Sequence, residues 1–248
     1  MRILSPATRL ICKRELFSYF DTPMAYIFLI LFLLLSNALT FFMGGFFASG
    51  QADLRSFFAF HPWLYLVFIP ALTMRLWSEE RKSGSIELLM TLPITAFQAT
   101  LGKFLASWLF TGIALLLTLP LWGTVNYLGR PDNGIIALNY LASWLLAGVF
   151  VSVGCFCSAL CKNQIVAFIL SAACSFVLLL SGTPIVLGFF SSWLSDVALQ
   201  AIAGVSVLTH YTALSKGLLG VADALFFVLL TGYFLWATTV IIQANQAD

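Results

Sequence analysis

Charge is what this sequence has least of. Its 248 residues hold only 12 Lys or Arg and 10 Asp or Glu, while 61% are hydrophobic and the mean hydropathy is +1.00. A soluble domain of this length has too little interior to hide so much apolar surface, so the class that fits is an all-α polytopic membrane protein. The net charge of +2 carries little weight, because in such a protein the positions of the charges decide the topology.

Other absences narrow the chemistry. No GxxxxGK[ST] phosphate loop occurs; Leu101-Gly102-Lys103-Phe104 lacks both the leading glycine and the hydroxyl. There is no HExxH, and the two histidines, His61 and His210, stand far apart. His61 reads as an interfacial side chain near the outer end of a span. Cys12, Cys155, Cys157, Cys161 and Cys174 form no CxxC and lie in or beside apolar segments, as small packing residues do. The expected spans carry no Asp, Glu, Lys or Arg in their interiors. That argues against an ion-coupled carrier, which needs ionisable groups at the midplane, and against an intramembrane enzyme. No cofactor and no nucleic-acid partner are expected for the chain itself.

Apolar runs then set out the spans. Residues 1–22 carry Arg2, Arg9, Lys13 and Arg14, and Ser5-Pro6 is a good helix start, a hydroxyl cap followed by a residue that needs no N–H. Cys12, Leu16, Phe17, Tyr19 and Phe20 fall on one broad side and Arg14, Glu15 and Ser18 on the other, which predicts a helix lying in the membrane interface. Six spans follow, at about 24–47, 57–74, 95–128, 139–160, 165–181 and 221–242. Pro62 and Pro70 are expected to kink the second and Pro120 the third. A charged segment precedes the first run, which is also too long for a signal-peptide core, so it reads as an uncleaved span. Gly148, Ser152 and Gly154 suit close helix packing. Between the last two spans, 182–220 breaks into pieces shorter than a span, which predicts re-entrant or interfacial half-helices.

One polar stretch interrupts this pattern. Arg75, Glu79, Glu80, Arg81, Lys82 and Glu87 put six charges within thirteen residues. Each would cost about 2.5–3.5 kcal/mol at the bilayer centre, so the segment 75–98 must lie outside the hydrocarbon. Gly84 breaks it, with a helix expected over 86–92. Pro93 ends that helix, and Thr95-Ala96-Phe97-Gln98 has capping-box spacing. With the N-terminus inside, nine basic residues fall on the cytoplasmic side and three (Arg55, Arg130, Lys216) outside, which predicts both termini in the cytoplasm.

Two groups of residues resemble a known family. Lys13-Arg14-Glu15-Leu16, Ser18-Tyr19-Phe20-Asp21-Thr22-Pro23 and Ala25-Tyr26 are similar to the beginning of ABC-2 permeases of the gliding-motility type. Pro70-Ala71-Leu72-Thr73-Met74-Arg75, Glu79-Glu80-Arg81, Gly84-Ser85, Glu87-Leu88-Leu89, Thr91, Pro93 and Gly102-Lys103 resemble the signature loop of that family, and Ser206, His210-Tyr211 and Gly217 its segment before the last span. The resemblance implies one type V exporter membrane domain over 1–248, with an interfacial N-terminal helix marked by Lys13, Arg14 and Glu15. It implies extracellular re-entrant helices over 182–220 and a coupling loop over 75–98. Arg75, Glu79, Glu80, Arg81, Gly84 and Glu87 would form or brace the contact with separate ABC ATPase subunits, which bind the ATP. Further implied partners are a second permease copy or a related membrane subunit, an auxiliary periplasmic protein and membrane lipid, in a bacterial inner membrane. The gliding association also admits an ATP-driven machine that moves a periplasmic partner and transports nothing.

Overall fold

In a computed structural model of the protein, residues 5–47, 50–91, 93–193, 195–217 and 220–244 are described. Among them the fold is helical throughout, with thirteen α-helices and no strand. The helices are α1 (Pro6–Phe20), α2 (Pro23–Ala38, continued by a π-helical turn, Leu39–Met43), α3 (Arg55–Thr73), α4 (Ser78–Ser83), α5 (Ser85–Thr91), α6 (Ala96–Leu116), α7 (Leu119–Leu128), α8 (Asn133–Leu160), α9 (Gln164–Leu180), α10 (Pro184–Phe190), α11 (Asp196–Gly204), α12 (Val207–Ser215) and α13 (Val221–Ala244).

The local signals act where expected. Ser5 Oγ accepts from Thr8 N at 3.2 Å to start α1. Thr95 and Gln98 form the reciprocal capping box of α6, at 3.2 and 3.0 Å. Asp132 and Asn163 cap α8 and α9 through side-chain oxygens. Gly84 ends α4 at φ 73°, the left-handed region open to a residue without Cβ. Proline behaves less uniformly. Pro62 and Pro70 sit inside an unbroken α3, whereas Pro120 lies in the first turn of α7, just past a break at Leu117–Thr118.

Five stretches are long and apolar enough to cross a membrane: 25–43, 55–83, 96–128, 133–160 and 221–244. α9 with α10, and α11 with α12, pass only as pairs bent by 84° and 62°. The expected six spans fall within this range of five to seven; α10, α11 and α12 lie where half-helices are predicted, whereas α9, expected as the fifth span by itself, reaches span length only together with α10. The short tail after Ala244, and Leu92 at the end of the expected loop helix, lie outside the described residues.

α8 is the central post, packed against α3, α6, α9, α12 and α13. Its small residues allow close approach: a Cβ on Gly154 would stand 2.0 Å from Thr73 Oγ1, and one on Gly148 3.0 Å from Trp108 Nε1. The pairing of α8 with α6 uses a duplicated heptapeptide, ASWLFTG at 106–112 and ASWLLAG at 142–148. Trp108 and Trp144 stack at 4.1 Å and 8°. Each indole donates to the other's backbone carbonyl, at 2.8 and 3.3 Å. The preceding serines, Ser107 and Ser143, each bond a tyrosine hydroxyl, Tyr19 at 2.9 Å and Tyr65 at 2.8 Å. Two equivalent segments thus clasp two helices while satisfying their own polar atoms inside an apolar medium.

His61 corrects an expectation. It is fully buried, not interfacial, with Nδ1 2.9 Å from Ser143 Oγ and its ring among Phe32, Phe57, Phe58 and Tyr65. Alternate faces of α3 are apolar enough that sequence position alone did not show which way it turns. The grouping on α1 also changes. Thr8, Ile11 and Tyr19 face the bundle, while Phe17 is 58% exposed.

Overpacking tests the close approach of α8. Gly154→Val should destabilise the protein by about 1–3 kcal/mol, the usual cost of forcing bulk into a filled core. Gly232→Ala, where nothing lies within 4 Å of the new carbon, should leave thermal unfolding in detergent unchanged.

Candidate functional site

The charged segment folds back on the bundle through Lys103. This lysine lies in the second turn of α6 and is 2% exposed, too buried to stay charged without partners. It has three acceptors for its three protons: Glu80 Oε1 at 2.7 Å, Leu76 O at 2.7 Å and Glu15 Oε1 at 3.4 Å. Its Nζ also stands 4.9 Å from the centre of the buried Trp77 ring. Arg14 donates to Glu15 Oε1 at 2.7 Å and approaches Glu80 at 4.0 Å. Two cations and two carboxylates therefore meet from α1, α4 and α6, and their formal charges cancel.

Burial alone would raise the Glu15 carboxyl. Lys103 and then Arg14 outweigh it, and the net effect holds Glu15 below its ordinary value of 4.5. The sign follows: the clip contributes stability at pH above 4.5 and loses it as pH falls through the lowered value.

The opposite flank of α4 is fixed by α8. Ser158 Oγ accepts from Trp77 N at 3.0 Å and Ser78 N at 3.1 Å and donates to Met74 O at 2.9 Å. It thereby caps the start of α4, whose first N–H groups have no intrahelical acceptor. Arg81 donates to Ala159 O, placing a cation at the carbonyl end of α8. On the α1 side, Tyr19 OH reaches Ser107 and, at 3.5 Å, Leu72 O. A polar cavity of about 350 Å³ lies between, lined by Glu15, Tyr19, Arg75, Glu79, Glu80 and Lys103.

The sequence-predicted residues therefore divide. Glu80 and Arg81 turn inward and brace α4, whereas Glu79, Lys82 and Glu87 are exposed, Glu79 at the rim of the polar cavity. Arg75 is half-buried beside the cavity. Gly84 separates the braced α4 from α5, and nothing lies within 4 Å of where its Cβ would be. Of the interfacial residues, Glu15 joins the clip and Arg14 bridges to it. Lys13 stays outside, its Nζ 5.8 Å from the Phe17 ring.

Lys103 is the residue the sequence reading undervalued. Counted among the cytoplasmic basic residues and within the signature-loop resemblance, it lies within one of the span-length helices, contrary to the expectation that these carry no charge in their interiors. A lone lysine two turns into an apolar helix was the available signal. A second polar contact joins helices elsewhere in the bundle. His210 Nδ1 meets Asp223 Oδ1 at 2.6 Å and Nε2 lies 3.1 Å from Gly204 O, joining α11, α12 and α13. Among the described residues no cluster has the make-up of a metal site.

A family model described as ABC-2 family transporter protein matches residues 64–244, well over half of the chain. The chain belongs to the ABC-2 transporter family. It is accordingly a multi-pass membrane protein and the permease component of an ABC transporter, a family that works with ABC ATPase subunits. The matched region contains the whole charged segment, Lys103 and the Trp108–Trp144 clasp, but starts after α1 and α2. No curated protein matches the chain closely enough to be called a relative.

Breaking the clip tests its chemistry. Lys103→Met should cost about 3–5 kcal/mol, as when one partner of a buried ion pair is removed. Adding Glu15→Gln and Glu80→Gln should restore most of that loss. Equal and additive losses in all three variants, read by thermal unfolding, would show that the groups do not interact.

Proposed function

We propose that this ABC-2 permease works as a dimer, or paired with a related membrane subunit, and takes its energy through residues 75–98 from separate ATPase chains. The observation that carries the reading is the division of that segment. Lys103, Ser158 and Arg81 lock it to α1, α6 and α8, while Glu79, at the rim of the polar cavity, Lys82 and Glu87 stay exposed. A partner pushing on the outer side would move α4 together with α1 and α6, because a buried ion pair resists separation far more than a solvated one. Gly84 supplies the joint about which α5 can turn. ATP in this scheme is bound and hydrolysed by the partner.

The same reading places the charged end in the cytoplasm of a bacterial inner membrane, with 182–220 on the far side. The gathering of Arg14, Arg75, Arg81 and Lys103 at one end of the bundle supports that orientation. An alternative keeps the lever but changes the output: ATP-driven movement of an auxiliary periplasmic partner, as the gliding-motility resemblance suggests.

Charge reversal at the exposed positions provides the test. Glu79→Lys with Glu87→Lys should reduce co-purification of the ATPase several-fold and abolish its stimulation, with membrane insertion intact. Unchanged association would refute the docking assignment. In proteoliposomes, ATP-dependent accumulation of a solute or lipid would support transport; an active ATPase that moves none would favour the mechanical output.

A further inference from the structure

A crevice of about 470 Å³ opens between α1, α6 and α8, walled by Leu16, Leu109, Gly112, Leu116, Leu141 and Trp144. Its mouth is apolar: Leu109, Leu116 and Leu141 are 41%, 61% and 46% exposed. In a chain that crosses the membrane, such a mouth faces hydrocarbon. The few polar atoms on its wall are already satisfied. Trp144 Nε1 donates to Trp108 O at 3.3 Å, and the Tyr140 hydroxyl lies 2.9 Å from Thr118 Oγ1. A polar occupant would lose its hydration there and gain no partner, so the cavity selects a hydrocarbon chain. The volume is within the range that encloses a small ligand.

Charge at one end narrows the occupant further. Leu16 forms the lip contributed by α1. Arg9 precedes it by seven residues, two turns and roughly 10 Å along the helix at nearly the same angle, and Lys13 precedes it by one turn. Both are exposed, and neither makes an ion pair among the described residues, whereas Arg14 is committed to Glu15. Phe17, beneath the Lys13 ammonium and 58% exposed, is an apolar side chain of the kind an interfacial helix buries at the boundary of headgroups and acyl chains.

From this juxtaposition we propose that the crevice is a phospholipid site, with one acyl chain lying against the Trp108–Trp144 clasp and an anionic headgroup held by Arg9 and Lys13. The idea is independent of the coupling assignment and needs only that the chain sits in a bilayer. Occupancy would wedge α1 against α6 and α8 beside the ion-pair clip, making the lipid part of the surface on which α1 moves.

The experiment uses the full chain in vesicles of phosphatidylcholine containing phosphatidylglycerol with a photoactivatable diazirine midway along one acyl chain. Labelled peptides are mapped by mass spectrometry, with the lipid-facing side of α13 (Val228, Leu229, Tyr233) as the reference for ordinary bilayer contact. Labelling of 109–116 and 141–144 should exceed the α13 reference several-fold and fall when unlabelled phosphatidylglycerol is added. Leu109→Phe with Leu116→Phe, or Leu141→Phe should the double variant not insert, should fill the crevice and bring its labelling down to the reference. Arg9→Gln with Lys13→Gln should keep crevice labelling but remove the preference for phosphatidylglycerol over an equivalent phosphatidylcholine probe. Labelling no higher than at α13, or unmoved by the filling substitutions, would overturn the proposal. So would efficient disulfide formation between two copies carrying Leu141→Cys, which would make this face a protein interface.

Discussion

A single buried ammonium organises the charged end of this permease. Lys103 cannot remain ionised in an apolar helix unless acceptors converge on it, and the convergence dictates much else. It draws Glu80 inward, so α4 lies against the bundle with one flank committed. It holds Glu15, so α1 cannot slide along α6 without breaking a desolvated pair. Leu76 O supplies the third acceptor at the turn between α3 and α4. The segment with the most charge in the chain is thereby anchored, through α4, to the helices around it.

The opposite flank shows the same economy with backbone groups as partners. Ser158 satisfies two backbone donors and one carbonyl, and Arg81 meets the carbonyl end of α8. Deeper in, the duplicated ASWLxxG segments set α6 against α8 through stacked indoles whose N–H groups are consumed between the helices. At these contacts polar groups from neighbouring helices satisfy one another, as a medium without water requires. Stiffness between α4 and the central helices is the consequence. Beyond Gly84 these ties are not continued in the same way, and α5 meets the core through Ile86.

The sequence made some of this legible and hid the rest for physical reasons. Caps, the break at Gly84 and the positions of the long helices follow from local rules, since a hydroxyl, a glycine or an apolar run acts through its immediate neighbours. The direction of a side chain across a helix does not. His61 lies on a helix apolar almost all round, so only its neighbours reveal that it is fully enclosed. Likewise Glu79 and Glu80 are adjacent in sequence and both border the polar cavity, and their roles separate only when Lys103 is seen bonded to Glu80. The number of spans was hard for a different reason: α9 to α12 are bent pieces, and length alone cannot say which of them cross.

The most direct measurement of whether α1 and α4 form one mechanical unit is a pair of spin-label distances in the assembled complex, with and without trapped nucleotide. Labels at Ser18 and Ser83 report the separation of α1 from α4, and labels at Ser83 and Lys162 that of α4 from the α8–α9 turn. The expected result is an unchanged first distance with a shifted second one on ATP trapping, and loss of the constancy of the first in the Lys103→Met variant. A first distance that changes with nucleotide while Lys103 is intact would contradict the rigid link on which the coupling scheme depends.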